Sequence, residues 1–164
     1  MAVLPILTGD HPLLRQQAKK VGKVDRYVQK LLDDMLETMR AAPGIGLAAN
    51  QVGRLLRLVT IEVDDTVYQL VNPEVLSSEG EAIIEEGCLS LPGYYADVER
   101  PAKVGVKALT RNGKPVKINA DGMLARVLQH EIDHLNGVLF IDHLKNLSDL
   151  RYVAPEEEAK ELKE

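Results

Sequence analysis

The sequence predicts an α+β fold in which strands, mostly joined by hairpin turns, lie between two amphipathic helices. Three observations carry this: a helical repeat of apolar residues before residue 42, a second after residue 122, and several short apolar segments punctuated by turn residues between them. Strands linked by short turns pair antiparallel, so small antiparallel or mixed sheets are expected.

The first helix is predicted over Asp25 to Ala41. Val24, Tyr27, Val28, Leu31, Leu32, Met35, Leu36 and Met39 recur at helical spacing, and Asp33, Asp34, Glu37 and Arg40 take the other face. Asp25 suits the N-cap, and Pro43-Gly44 ends the helix. The segment Gly44 to Gly53 carries three glycines among small residues and reads as a loop where backbone comes close to something. Leu56–Val63 and Val67–Asn72 flank Asp64-Asp65, a hairpin pattern. Glu74–Ser78 and Glu81–Glu85 flank another turn. In Lys103–Thr110, Val104, Val106 and Ala108 alternate with Lys103, Gly105 and Lys107, and Asn112-Gly113 turns this strand into Val116–Asn119. The second helix is predicted from about Met123 to Asn136, with Asp121 at the N-cap and Gly137 just past the C-terminus. Val138–Ile141 reads as a short strand, and the charged tail after Pro155 as at most a short, solvated helix.

A chain of 164 residues suits one domain, here read as a single catalytic domain over 1–164 with a short charged tail from about 155. Five Tyr, one Phe and no Trp require an aliphatic core. The formal net charge of −5 argues against holding nucleic acid as the main task, DNA included, although a local basic patch remains compatible with it. The single cysteine, Cys88, makes an intramolecular disulfide impossible. Residues 1–10 lack the basic start and long apolar run of a signal peptide, and no stretch approaches the ~20 apolar residues of a membrane span. A cytoplasmic protein with no membrane association is expected.

The chemistry lies in His130-Glu131-Ile132-Asp133-His134 on the second helix. Side chains at i and i+4 share a helix face with Cβ atoms ~5–6 Å apart, so both imidazoles can converge on one metal ion. Glu131 is turned ~100° around the helix, where it can reach a water beside that ion without itself being a ligand. Ile132 and Leu135 are expected to pack under or beside the histidines. A catalytic site needs a third ligand and an open position. Phe140 stands where one metalloprotease class places its third His; Glu156 to Glu158 and His143 are further candidates. Cys88 is the better one: it sits between Gly87 and a Pro92-Gly93 turn, at the end of a polar run, which is not a usual core setting for a lone cysteine. A Cys/His/His set suits Fe(II), Zn(II), Co(II) or Ni(II) rather than Mg or Ca.

Three segments, Gly44-Ile45-Gly46-Leu47-Ala48-Ala49-Asn50-Gln51, Glu86-Gly87-Cys88-Leu89-Ser90 and Gln129-His130-Glu131-Ile132-Asp133-His134, resemble the signature motifs of peptide deformylases, in that family's order. The resemblance covers roughly residues 5 to 145. It implies small sheets around a central metal-binding helix. It implies that Cys88, His130 and His134 ligate one divalent metal with water in the fourth position, Fe(II) being the usual native metal and Zn(II), Ni(II) or Co(II) able to replace it. It implies removal of the formyl group from the initiator methionine of new polypeptides, releasing formate. Glu131 would serve as acid/base, and the Gln51 amide and Leu89 backbone N–H would hold the oxyanion. Gly44, Ile45 and Gly46 would let an extended peptide pair with the chain, and Leu89, Leu91, Val127 and Ile45 would line an apolar methionine pocket. The implied partners are N-formyl-methionyl nascent peptides and the ribosome near its exit tunnel. Tyr95 stands near the place where many members carry a substrate-contacting arginine. Arg126, four residues before His130, is either at the pocket rim or an ordinary solvated helix cation. Some members carry a longer C-terminal helix that engages the ribosome, whereas the short acidic tail here would be repelled by rRNA of like charge.

Two other readings fit the motif alone. A Glu-zincin peptidase would take Glu156, Glu157 or Glu158 as third ligand, and a non-catalytic domain would hold a structural zinc on Cys88 and the histidines.

Overall fold

The computed structural model describes residues 2–154. The charged tail, with the alternative ligands Glu156, Glu157 and Glu158, lies outside the described residues. Helix α1 spans Arg26–Ala41, and the Asp25 side chain caps it by accepting from the Val28 N–H at 3.0 Å. Its apolar face, Val28, Leu31, Leu32, Met35 and Met39, packs on Leu47, Leu58 and Val71. Each such buried side chain contributes ~1.5–3 kcal/mol relative to exposure.

The strands are β1 (Gly46–Ala48), β2 (Leu58–Val63), β3 (Thr66–Glu79), β4 (Ala82–Cys88), β5 (Leu91–Arg100), β6 (Lys103–Leu109), β7 (Pro115–Asp121) and β8 (Arg151–Tyr152). They form a five-stranded sheet in the order β1-β2-β3-β6-β7 and a three-stranded sheet β4-β5-β8, antiparallel at every strand pair. Asp64 and Asp65 turn β2 into β3 with φ of 52° and 63°, the left-handed conformation a two-residue hairpin requires. Helix α2, Gly122–Leu135, packs Ala125, Leu128, Ile132 and Leu135 into the core under the larger sheet. Its opposite face meets the smaller sheet. Gly137, at φ 75°, ends the helix as the sequence predicts.

The structure corrects several sequence expectations. Gly44 to Gly53 is not simply a loop: β1 pairs with β2, and Ala49–Val52 forms a 3-10 turn. Val67–Asn72 and Glu74–Ser78 are one strand, interrupted by a bulge at Asn72 (φ 53°), whose side-chain amide bonds both the N–H and C=O of Val21. The turn after β3 does not make a hairpin; it carries the chain from one sheet to the other. Pro92-Gly93 lies inside β5, and the true turn is Leu89-Ser90, with Cys88 opposite Leu91. The proline sits on an exposed position and Gly93 (φ 84°) gives way to β8, its C=O accepting from Val153 N–H at 2.7 Å. Val138–Ile141 is not a strand; Phe140–His143 is a 3-10 turn that buries Phe140.

Both Asp25 and Asp121 occupy N-cap positions, but only Asp25 makes a side-chain cap bond. Asp25→Ala is therefore expected to cost about 1 kcal/mol in urea unfolding, and Asp121→Ala clearly less.

Candidate active site

Three elements bring the site together. Helix α2 supplies His130, Glu131 and His134, all buried, with His134 at 0% exposure. The end of β4 supplies half-buried Cys88, and the 3-10 turn after β1 supplies Gln51. His134 Nε2 lies 3.2 Å from His130 Nε2 and 3.3 Å from Cys88 Sγ. These three ligand atoms all lie within 4.8 Å of one another, the one such group among the described residues. Converging imidazole nitrogens and a sulfur fit a single borderline-soft cation. Burial, the largest cause, holds His134 well below the usual imidazole value, leaving the neutral form that can ligate.

Glu131 points into the same space from the side. Its Oε1 is buried and has no protein hydrogen-bond partner, so one carboxylate oxygen remains available to a ligand in the site. Burial pushes its pKa up to about 7, against the lowering effect of His130. Gly46 is needed for this placement: a Cβ there would collide with Glu131 Oε2 and lie 2.8 Å from Val127 Cγ1. Gln51 is buried and fixed at both ends. Its Oε1 accepts from Ala48 N–H at 2.9 Å, and its Nε2 donates to Ser90 Oγ at 3.1 Å and lies 3.7 Å from Cys88 Sγ. The amide nitrogen is thus aimed at the metal-ligand cluster.

Of the residues read as a methionine pocket, Leu91 pairs across from Cys88, and Leu89 follows Cys88 in the turn. Leu89 packs so close to Gly44 that a Cβ on the glycine would lie 2.7 Å from Leu89 Cδ1. Val127 is buried beside Gly46 and belongs to the core under the larger sheet, Leu91 is half-buried beside Cys88, and Ile45 is 49% exposed. His143 is not brought to the cluster; its Nε2 meets Asp133 Oδ2 at 2.8 Å on the other side of the helix. Cys88, contrary to expectation, does touch core, packing beside Ala96, Val98 and Phe140.

Sequence reasoning missed the carboxylate that organises the site. Glu86 is buried on β4. It accepts from Arg100 Nε (2.6 Å) and Nη2 (3.0 Å), from Arg126 Nη1 (2.6 Å) and from His130 Nδ1 (2.9 Å). Burial alone would raise its pKa, but the bonds from His130 and Arg100 hold it down to about 2. Bonding at Nδ1 turns Nε2 of His130 towards Cys88 and His134. Arg126 is accordingly neither a pocket-rim residue nor a solvated cation. It is buried, and also donates to the Val98 and Ala82 carbonyls at 2.8 Å each. The signal was present: with side chains alternating along β4, Glu86 and Cys88 share a face.

Comparison with known proteins shows the family. A family model described as polypeptide deformylase matches residues 3–149. The chain belongs to the peptide deformylase family. It is 53% identical over 153 residues to a peptide deformylase of Mesorhizobium japonicum, covering 90% of this chain and 87% of the relative. It is 50% identical to one of Symbiobacterium thermophilum, covering 100% of this chain and 77% of the relative. Among solved structures, a peptide deformylase of Ehrlichia chaffeensis in complex with actinonin superposes with a TM-score of 0.88 at 38% identity, covering 100% and 99% of the two chains. One of Legionella pneumophila gives 0.85 at 45%, covering 99% and 92%. The chain is therefore a metal-dependent hydrolase that removes the N-formyl group from the initiator methionine of new polypeptides, releasing formate. No helix among the described residues is long and apolar enough to cross a membrane.

Glu86→Gln leaves buried Arg126 without its anion and Arg100 with Asp133 alone. It is expected to destabilise the fold by about 3–5 kcal/mol in chemical denaturation. It should weaken zinc binding ~10–100-fold in a competitive chelator titration.

Proposed function

We propose that the deformylase reaction is carried by Cys88, His130 and His134 as ligands of one divalent metal, with Glu131 as acid/base and Gln51 with the Leu89 backbone N–H as oxyanion donors. The observation that carries this is the convergence of Cys88 Sγ and the two Nε2 atoms, with the unpartnered Glu131 Oε1 beside them. Iron(II) is the proposed native metal, and Zn(II), Ni(II) or Co(II) suit the same donors. A cation held there lowers the pKa of water from ~15.7 towards ~7 and so supplies a nucleophile at neutral pH.

The protein's own groups do the rest. Glu131 takes the proton from the attacking water and returns it to the leaving amine, which gives formate and a free N-terminus. Burial raises the affinity of this carboxylate for a proton, which strengthens it as a base. The Gln51 amide, already clamped through its oxygen by Ala48, donates from Nε2 to the developing oxyanion without reorganising. β1 is the terminal strand of its sheet, so the Gly44-Ile45-Gly46 edge can accept an extended peptide as an added strand. Leu89, Leu91, Val127 and Ile45 then line the pocket for the methionine side chain. The whole activity is placed in one catalytic domain, acting in the cytoplasm on N-formyl-methionyl nascent peptides beside the ribosomal exit tunnel.

The test is formate release from a formyl-methionyl peptide, run beside its acetylated and free-amine forms. Only the formylated peptide should turn over. Glu131→Gln should keep its metal and lose ~10²–10⁴ in kcat, and Gln51→Leu should lose ~10²–10³. Cys88→Ala should no longer retain stoichiometric metal, and cleavage within the peptide backbone would contradict the proposal. With Fe(II) beside a thiolate, activity should decay faster in air than under argon; equal half-lives would count against iron and Cys88 together.

A further inference from the structure

The chain is acidic overall, yet one face is strongly basic. Between His11 and Leu31 stand Arg15, Lys19, Lys20, Lys23, Arg26 and Lys30 against a single acid, Asp25, a local net charge of +5 on a chain whose total is −5. All six cations are exposed. Backbone contacts hold this segment against other basic stretches. Lys19 N–H donates to Leu55 C=O and Lys19 C=O accepts from Arg57 N–H, which places exposed Arg54 alongside. Gln29 donates to the Arg111 carbonyl, which brings the 111–114 turn with Lys114 to the same side.

The acids nearby are already engaged. Asp25 caps α1, Asp33 pairs with Arg111 at 2.6 Å, and Asp142 pairs with Arg15 at 2.5 Å. No ion pair is formed by Lys19, Lys20, Lys23, Arg26 or Lys30 among the described residues. The face therefore keeps its field available for an external polyanion. Tyr27, 57% exposed, stands between Arg26 and Lys30 and is the only large apolar side chain exposed in this segment. A lipid-binding face would present several apolar side chains for insertion. A lone tyrosine among cations instead offers a ring on which a nucleic-acid base can stack.

We propose that this face docks the enzyme on RNA through phosphate contacts. The inference rests on the reading that the substrate is met at the ribosome, whose surface is rich in RNA. It also fits the fold: α1 is 16 residues long, about 24 Å at the helical rise. The basic face surrounds its N-terminus, while its C-terminus leads into Gly44 and the peptide-accepting edge. RNA held at one end leaves the catalytic cleft open at the other.

The experiment measures binding of the full chain to a fluorescein-labelled RNA hairpin with an unpaired loop, by anisotropy at low salt. Four to five phosphate contacts should make binding weaken about 100-fold between 50 and 200 mM salt. The triple variant Lys19→Glu/Lys23→Glu/Lys30→Glu should lose at least about tenfold in affinity. Its formate release from a free formyl peptide should match the parent protein, which also shows that it folds. Undiminished hairpin binding by the variant, or no binding by the parent at 50 mM salt, would overturn the proposal. So would binding to phosphatidylglycerol vesicles with none to RNA. Loss of free-peptide turnover in the parent protein would instead strike at the catalytic reading and leave the RNA measurement standing.

Discussion

The site depends on one buried carboxylate. Glu86 gathers four charge-assisted hydrogen bonds, from two arginines and one imidazole, and so ties β4, β5 and α2 to one point. An ion taken out of water costs several kcal/mol, and only full satisfaction by opposite charge offsets that. The arrangement meets this condition, and its by-product is orientation. With Nδ1 committed to Glu86, His130 has only Nε2 to offer the cluster. Arg100 extends the network to Asp133 and His143 on the far side of the helix, so the ring carrying Nε2 is braced from behind. Phe140 stacks 6.2 Å from the His130 ring and closes the remaining side.

This explains the division of labour between the two sheets. The larger one packs against the apolar stripe of α2 and sets where the helix lies. The smaller one delivers charge and sulfur: Glu86 and Cys88 from alternate positions of one strand, with Arg100 from its neighbour. β1 is the terminal strand of the larger sheet, where glycine at position 46 lets Glu131 come close to backbone. A side chain there would collide with the carboxylate and with Val127.

Much of this was legible in the sequence, for stated physical reasons. The helices announced themselves through eight and more apolar residues in phase, and the Asp-Asp and Asn-Gly turns through chemistry that tolerates positive φ. The ligand-base-ligand spacing on α2 is a consequence of helical geometry alone. What stayed hidden depends on tertiary pairing. Pro92-Gly93 carries a turn signal, yet Cys88 opposite Leu91 puts the turn three residues earlier, because the chain has to return along β4. Asn72 breaks the β3 pattern in sequence but repairs it in space by bonding Val21. Arg126 looks like a surface cation on a helical wheel, and only the fold brings Glu86, 40 residues away, against it. Composition misled in one respect too: a net charge of −5 averages over a chain in which residues 11–31 carry six basic residues against one acid.

X-ray absorption on the zinc-loaded protein is the most direct test of the account, because it counts the ligands without relying on turnover. The account predicts one sulfur at about 2.3 Å and two imidazole nitrogens at about 2.0–2.1 Å, with one remaining light-atom position not supplied by the protein. The sulfur shell should vanish in Cys88→Ser. A first shell without sulfur, or one filled by four protein ligands, would contradict it.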